Sequence, residues 1–408
     1  MKAGMSEAHI LGIESSCDET AAAVVRSGEQ LISNIVASQI ATHQPYGGVV
    51  PELASREHLR AIVPVVRQAL VESGKTYENI DALAVTQGPG LAGSLLVGIS
   101  YAKALAFALD KPLIAVNHLE GHIHAVLLEE RQKGNREIRF PVLALVVSGG
   151  HTHLYLAKQS AESWSYENIG HTRDDAAGEA FDKVAKLLGL GYPGGPVIDR
   201  LSTHGDPRAV KFAISQIKHP DRRTPSTTPS RPAKKTEGAP PFAVFEGWEK
   251  ETHDHPRFDF SYSGIKTAVL RYVETHSLAA SIESRRRALA AITKPKLEDF
   301  LANCDKQTLD LISSFQRTMV EDLVVKTLAA ARHYNVATLF VTGGVAANNE
   351  LRQTFEREAA KEGMAVYFPS RPLSTDNAAM IAAAAYPKFL ANDFASMDFS
   401  AEAGMALK

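Results

Sequence analysis

The sequence contains very little cysteine, and its charges are nearly balanced. Cys17 and Cys304 are the only cysteines among 408 residues, too few for a disulfide framework or a cysteine-based zinc site. The net charge of −2 creates no overall field toward nucleic acid or anionic membrane, so any such binding requires a local patch. These shortages exclude a disulfide-stabilised secreted domain and a protein that binds nucleic acid through general basicity.

Targeting and membrane-spanning patterns are also absent. Residues 1–9 are polar and lack the apolar core of a signal peptide. The most apolar run, residues 95–109, contains Ser100, Tyr101 and Lys103 and is shorter than the roughly 20 residues that cross a bilayer. We expect this run to form a buried helix, and we expect a cytoplasmic protein with no membrane partner.

Two similar patterns organise the chain. Residues 10–25 and 141–157 each form an apolar strand, a polar turn and a second apolar strand, which predicts two hairpins. A chain of 408 residues is long enough for two domains. The paired hairpins therefore predict two related α/β halves that face each other across a cleft.

Glycine-rich turns follow several predicted strands. Residues 87–90 separate a strand from a helix and form either a tight turn or an anion site. Residues 148–150 and 343–344 leave backbone N–H groups open to phosphate or to an adenine ring. Residues 189–196 form a tight loop flanked by acids, which are either solvated or hold a sugar hydroxyl. The pattern favours a nucleotide cleft.

His118 and His122 lie four residues apart at the start of a predicted helix, which suits one transition metal. The preceding residues, 112–117, are a predicted strand, and ligands of open α/β sheets bind at the carboxyl ends of strands. A coincidence among 15 histidines is the alternative. Two imidazoles rarely hold an ion alone, and Asp376 is the candidate third ligand, although an acid complementing a helix dipole is its default role.

Two other functions fit parts of this pattern. A zinc protease requires His-Glu-x-x-His, but here Glu120 follows His118 by two residues and points about 200° around the helix from it. An actin-like or sugar-kinase-like ATPase fits the hairpins and glycine turns. Such an ATPase binds magnesium through oxygen atoms, however, and would not require the two imidazoles.

Two segments are predicted to be insertions. Residues 219–256 are rich in proline, serine, threonine and basic residues, which predicts a loosely packed surface segment; a role in holding RNA is the less favoured alternative. Residues 278–307 are charged and predicted to be helical.

Six motifs taken together resemble the bacterial TsaD family of tRNA N6-adenosine threonylcarbamoyltransferases. The resemblance covers the chain apart from the two insertions. The motifs are His118-Leu-Glu-Gly-His122, Leu145-Val-Val-Ser-Gly-Gly-His-Thr152, Asp174-Asp-Ala-Ala-Gly-Glu-Ala-Phe-Asp-Lys183, Tyr192-Pro-Gly-Gly-Pro196, Val341-Thr-Gly-Gly-Val-Ala-Ala-Asn348 and Ser374-Thr-Asp-Asn377.

The resemblance implies a fold and an activity. The fold is the two-lobed α/β architecture of actin and Hsp70 (ASKHA). The expected lobes are residues 1–142 and 143–376, with a C-terminal helix in residues 377–408 packing on the first lobe. The implied reaction transfers threonylcarbamoyl from threonylcarbamoyl-AMP to N6 of the adenosine 3′ of the anticodon, in tRNAs that read codons beginning with A. AMP is released.

The resemblance also implies site residues and partners. His118, His122 and Asp376 would bind one Fe²⁺ or Zn²⁺ per subunit. Val146 stands where archaeal and eukaryotic relatives have a metal-binding tyrosine, which implies the form with three protein ligands. The expected partners are tRNA, a TsaB-like protein and a TsaE-like protein. The implied substrate contacts are Val146, Val147, Ser148, Gly149 and Gly150 at the phosphate and threonylcarbamoyl group, Asp182, Gly195 and Asp199 at the ribose, and Asn348 at the adenosine.

Overall fold

The computed structural model describes residues 7–160, 163–213 and 258–408. The predicted insertion at residues 219–256 lies outside these ranges. Within them, two five-stranded mixed sheets form the centres of two lobes.

The first sheet is built from the N-terminal hairpin and two following strands. Its strands lie in the order β3-β2-β1-β4-β5. β1 pairs antiparallel with β2 and parallel with β4, β2 pairs antiparallel with β3, and β4 pairs parallel with β5. The bounds are β1 (His9–Glu14), β2 (Glu19–Arg26), β3 (Gln30–Ser38), β4 (Ala82–Gly88) and β5 (Leu113–Asn117).

The second sheet repeats this topology. β6 pairs antiparallel with β7 and parallel with β9, and the order β10-β9-β6-β7-β8 mirrors that of the first sheet. The predicted duplication into two α/β halves is therefore confirmed. The bounds are β6 (Val142–Val147), β7 (Thr152–Gln159), β8 (Trp164–His171), β9 (Thr338–Thr342) and β10 (Ala365–Tyr367).

Helices cover both faces of the first sheet. One face packs on two long helices and the other on the last helix of the chain. A Cβ atom at Gly12 would lie 2.4 Å from the carbonyl oxygen of Ala378, so this last helix approaches β1 more closely than any side chain would permit. The bounds are α1 (Ile40–His43), α2 (Pro51–Ser73), α3 (Ala92–Leu109), α4 (His118–Gln132) and α13 (Ala378–Leu390).

The second lobe contains the remaining helices. They are α5 (Ala177–Leu187), α6 (Gly194–Leu201), α7 (Ser263–Thr275), α8 (Ala279–Ala290), α9 (Leu297–Ala302), α10 (Lys306–His333), α11 (Asn349–Lys361) and α12 (Arg371–Ser374). The helical prediction for residues 278–307 is confirmed, and Ile282 and Phe300 within it belong to the core of this lobe. The buried Arg285 donates hydrogen bonds to the carbonyls of Leu188 and Asn303, so its charge is compensated.

The outer faces of α2 and α3 differ from the prediction. The apolar spacing of residues 51–72 predicts an amphipathic helix with Leu59 and Val63 on its apolar side, yet these two side chains are 65% and 38% exposed. On α3, which was expected to be buried, Leu96 and Phe107 are exposed. Apolar residues lie all around both helices, so residue type alone does not select the inner face. Leu59, Val63 and Leu96 line a shallow apolar groove between the helices, called here the α2/α3 groove.

Among the described ranges, α3 is one helix that is long and apolar enough to cross a membrane. A single helix of this kind does not by itself indicate a membrane protein, because core helices of globular proteins can have the same length and composition. In this fold α3 packs against α2 and β4.

Candidate metal and nucleotide site

The two predicted metal ligands on α4 lie at the carboxyl end of β5, as expected. β5 ends at Asn117, whose side chain accepts a hydrogen bond from the Leu119 N–H and caps the helix. His118 and His122 then follow on one face of the helix, with ring centroids 4.8 Å apart. Both rings are buried.

Asp376 lies against the two imidazoles. Its Oδ1 atom is 3.2 Å from Nε2 of His122 and 3.5 Å from Nε2 of His118. One nitrogen from each histidine and one oxygen of Asp376 lie within 4.8 Å of one another. Asn377 is the N-cap of α13 and accepts a hydrogen bond from the Met380 N–H, so Asp376 precedes the first turn of the helix and is not a first-turn acid.

The chemistry of these three groups fits a divalent transition metal. Nδ1 of His122 is buried without a hydrogen bond, and Nε2 faces Oδ1 of Asp376 at 3.2 Å, where a metal ion could be shared by the two groups. Two imidazoles and one carboxylate suit iron or zinc and leave coordination positions open for substrate oxygens.

The pKa values of His118 and His122 are shifted in opposite directions. Burial alone would lower the pKa of His118, but the nearby carboxylates of Asp376 and Glu14 raise it to about 9. Burial opposes ionisation of Asp376 as well, yet His118 and His122 hold its pKa well below the usual range. The pKa of His122 is lowered, chiefly by burial.

Glu14 was not predicted as part of the site. It is the last residue of β1 and is completely buried, with Oε2 3.1 Å from Nδ1 of His118. The sequence marks the following turn as acidic and hydroxyl-rich. Nothing in it separates Glu14 from the solvated acids of that turn, and only the parallel pairing of the strands brings Glu14 to His118.

Glu120 faces away from the two histidines, as the argument against a zinc protease requires. Its carboxylate lies 3.4 Å from the Tyr166 hydroxyl and 3.5 Å from Nζ of Lys388. It therefore cannot activate a water molecule bound between His118 and His122.

The turn after β6 lies beside the metal ligands. Val146 and Val147 are buried in the strand, whereas Gly149 and Gly150 are exposed, with open space where a Cβ would stand. The Ser148 N–H donates to the carbonyl of His151, and the His151 ring lies 5.8 Å from that of His118. The exposed glycines are thus available to a ligand that also reaches the histidines.

The predicted ribose and adenosine residues form a second group around the start of α6. Asp182 accepts a 2.6 Å hydrogen bond from Gly194 N–H, next to Gly195. Burial raises the pKa of Asp182, and the carboxylate of Asp18 from the first lobe contributes to the rise. The hydrogen bond from Gly194 holds Asp182 against the start of α6.

Asp199 and Asn348 are engaged mainly by the protein itself. Asp199 accepts hydrogen bonds from the backbone and side-chain amides of Asn349. Asn348 caps α11 and donates to Gln316. These residues hold the 343–349 turn against α6, and so they shape the backbone of the pocket.

Comparisons with known proteins agree with the predicted family. The family model described as TsaD, tRNA N6-adenosine threonylcarbamoyltransferase, matches residues 30–383. A protein of that name from Koribacter versatilis is 66% identical over 404 residues, which cover 99% of this chain and 100% of the relative. Another, from Syntrophobacter fumaroxidans, is 48% identical over 377 residues, which cover 92% and 93% of the two chains.

The likeness to a solved structure supports the fold. Full-length HypF, in its phosphate- and nucleotide-bound form, is similar over 93% of this chain and 55% of its own, with a TM-score of 0.50 and 13% identity. The duplicated sheets and this likeness give the two-lobed α/β fold of the actin and Hsp70 class. The extent and identity of the sequence matches show that the chain belongs to the TsaD family, the tRNA N6-adenosine threonylcarbamoyltransferases.

Proposed function

We propose that this protein transfers the threonylcarbamoyl group of threonylcarbamoyl-AMP to N6 of the adenosine 3′ of the anticodon, in tRNAs reading codons that begin with A, and releases AMP. The observation that carries the proposal is the cluster of His118, His122 and Asp376 beside the open Ser148–Gly150 turn, in a chain of this family. A metal site and a phosphate-binding turn next to each other suit an acyl adenylate.

His118, His122 and Asp376 would hold one Fe²⁺ or Zn²⁺ per subunit. When bound, such an ion acts as a Lewis acid toward the carbonyl and phosphate oxygens of the donor. The donor set suits both metals, and metal analysis of the purified protein distinguishes them.

The side chains and backbone of the protein mainly position the two substrates. The N–H groups of Gly149 and Gly150 would face the phosphate and the threonylcarbamoyl group, where negative charge grows during transfer, and Val146, Val147 and Ser148 would form the wall of that site. Asp182, Gly195 and Asp199 would bind or shape the ribose site, and Asn348 the adenosine pocket. Because an acyl adenylate already has a good leaving group, no covalent enzyme intermediate is required.

An actin-like or sugar-kinase-like ATPase is the alternative, since the fold is shared with such enzymes. The buried imidazoles argue against it, because magnesium–nucleotide sites use oxygen ligands. Hydrolysis of ATP or phosphorylation of a sugar, with no change in tRNA, would favour the alternative.

We further propose that the protein acts with a TsaB-like and a TsaE-like partner in the cytoplasm. The α2/α3 groove supports a protein partner, because Leu59 and Leu96 expose 65% and 52% of their surface side by side on two packed helices. A TsaB-like paralogue is our candidate occupant of this groove. The lobes are proposed to span residues 1–142 and 143–376, with residues 377–408 returning to the first lobe, as the packing of α13 on β1 and β2 supports.

The test is a reconstituted transfer assay. Purified protein, threonylcarbamoyl-AMP, unmodified tRNA and the two partners are combined, and modified adenosine is measured by mass spectrometry of tRNA nucleosides. His118→Ala should abolish the product, whereas His204→Ala, at an exposed histidine on the second lobe, should not. Full product from His118→Ala would reject the proposed role of the cluster.

A further inference from the structure

The carboxylate of Glu14 lies in the protein interior, where burial destabilises a charged group. It is completely buried at the end of β1, and three donors surround it. The Ser16 N–H lies 2.5 Å from Oε1, while Thr86 Oγ1 and His118 Nδ1 lie 2.7 Å and 3.1 Å from Oε2. A buried charge of this kind stabilises a fold poorly compared with an apolar side chain, so its presence calls for another role.

The position of Glu14 relative to the two nitrogens of His118 suggests that role. Nδ1 faces Glu14, and Nε2 faces Asp376 at 3.5 Å. A neutral imidazole carries one proton, and only the nitrogen without it can bind a metal. An ionised carboxylate only accepts hydrogen bonds, so Glu14 keeps the proton on Nδ1 and leaves the Nε2 lone pair directed at the metal site.

The hydroxyl of Ser16 is a second possible hydrogen-bond partner for Nδ1 of His118. It lies 3.2 Å from the same Nδ1 atom, and a hydroxyl can either donate or accept. Without the carboxylate, Ser16 could donate to Nδ1, which would move the ring proton to Nε2 and block metal binding. Glu14 therefore decides between two tautomers that Ser16 alone would permit.

We propose that Glu14 is a positioning residue for the metal site, fixing the metal-binding tautomer and the ring orientation of His118. It also balances charge, because Glu14 and Asp376 together offset the two positive charges of a divalent ion bound by neutral imidazoles. His122 has no comparable partner, since its Nδ1 makes no hydrogen bond. The effect of Glu14 is therefore specific to His118. This inference rests on the proposed metal ligands.

Glu14→Gln tests the inference, with metal affinity as the readout. Zn²⁺ binding to the full-length protein is measured by competition with a chromophoric chelator. Loss of an outer-shell partner typically weakens metal binding about 10- to 100-fold, and we expect a loss in this range. Glu120→Gln is the matched control, because Glu120 is a buried glutamate on the metal-binding helix that contacts Tyr166 and Lys388 instead. It should retain wild-type affinity.

A second measurement follows the tautomer directly. Long-range ¹H–¹⁵N NMR spectra of the metal-free protein, at a pH where the His118 ring is neutral, should show His118 protonated at Nδ1 in the wild type. Glu14→Asp keeps an acceptor-only carboxylate and should preserve that tautomer, which tests the idea even if Glu14→Gln does not fold. His118 protonated at Nε2 in the wild type, or a different tautomer in Glu14→Asp, would overturn the inference.

His118→Ala distinguishes an error in the proposed ligand set from an error in the role assigned to Glu14. If this variant binds Zn²⁺ as tightly as wild type, the proposed ligand set is wrong. If it binds weakly while Glu14→Gln matches wild type or merely matches Glu120→Gln, the ligand set stands and the role assigned to Glu14 is wrong.

Discussion

Oδ1 of Asp376 lies 3.2 Å from Nε2 of His122, although one residue precedes the last helix of the chain and the other lies on the helix after β5. Packing of α13 against both α4 and β1 brings them together. The two helices approach closely at Gly121, where an added Cβ would lie 2.9 Å from Ile381 Cδ1. The metal cluster therefore depends on how the C-terminal helix docks.

Replacing the carboxylate should weaken metal binding. Asp376→Asn keeps the shape of the side chain but removes the charge that faces both imidazoles. We expect Zn²⁺ affinity to fall by at least the roughly 10- to 100-fold seen for outer-shell partners, because a direct ligand is altered. Isothermal titration calorimetry measures the change. Asp393→Asn, at an exposed residue beyond α13, is the control and should bind normally.

The docking of α13 should be sensitive to a single methyl group. In Gly12→Ala, the new Cβ would meet the Ala378 carbonyl and force α13 away from β1. Overpacking of this kind typically costs about 1–3 kcal/mol, and here it should also displace Asp376. Chemical denaturation and Zn²⁺ titration should therefore both report a loss. Gly264→Ala, where a Cβ meets nothing within 4 Å, is the control. If Gly12→Ala lost stability but kept its metal affinity, metal binding would not depend on the docking of α13, which would contradict this prediction.

The α2/α3 groove should bind the TsaB-like partner without affecting the metal. Leu59→Asp places a charge on the apolar surface, and we expect association with the partner to be lost in analytical ultracentrifugation. Zn²⁺ binding should not change. Val71→Asp introduces the same charge at an exposed valine of α2 that does not line the groove, and it should leave association intact. Equal effects of the two variants would argue against the groove.

Asp174 should stabilise the second lobe in a pH-dependent manner. It accepts hydrogen bonds from Tyr262 N–H and from the hydroxyls of Ser261 and Ser263, at the start of α7. Burial raises the pKa of Asp174, but these donors outweigh burial and leave the pKa below its ordinary value. A folded-state pKa below the unfolded one means that the stabilisation is complete above the unfolded-state value of about 4 and is lost as pH falls through the folded-state value.

Urea denaturation of Asp174→Asn at two pH values tests whether this stabilisation is lost as the pH falls. At pH 7 we expect a loss of about 0.5–1.5 kcal/mol, the usual net contribution of a hydrogen bond, because Asp174 is exposed and water can replace its donors. The difference from wild type should shrink at pH 3, where the wild-type carboxylate begins to take up a proton. A difference that stays constant between the two pH values would contradict the assignment.

Much of the fold was predictable because its evidence is local. Each hairpin shows as two apolar strands around a polar turn, and each glycine turn marks the end of a strand. The meeting of His118 and His122 follows from helix spacing in the same way. The same logic failed for Leu59 and Val63, because apolar residues surround α2 and only packing decides which of them are buried.

The rest of the site depends on contacts between distant parts of the chain. Asp376 could be chosen as a ligand candidate from its motif, but its approach to the histidines depends on α13. Glu14 could not be recognised, because a glutamate after an apolar strand resembles a solvated turn residue. Its burial arises from the parallel pairing of β1 with β4, which also supplies Thr86.

The central claim is that a metal held by His118, His122 and Asp376 supports threonylcarbamoyl transfer to tRNA. The most direct measurement is the yield of modified adenosine from chelator-stripped protein, before and after one equivalent of Fe²⁺ or Zn²⁺ is restored. We predict no product from the stripped protein and recovery with restored metal, but no recovery in His118→Ala. Undiminished product from protein shown to be free of metal would contradict the account.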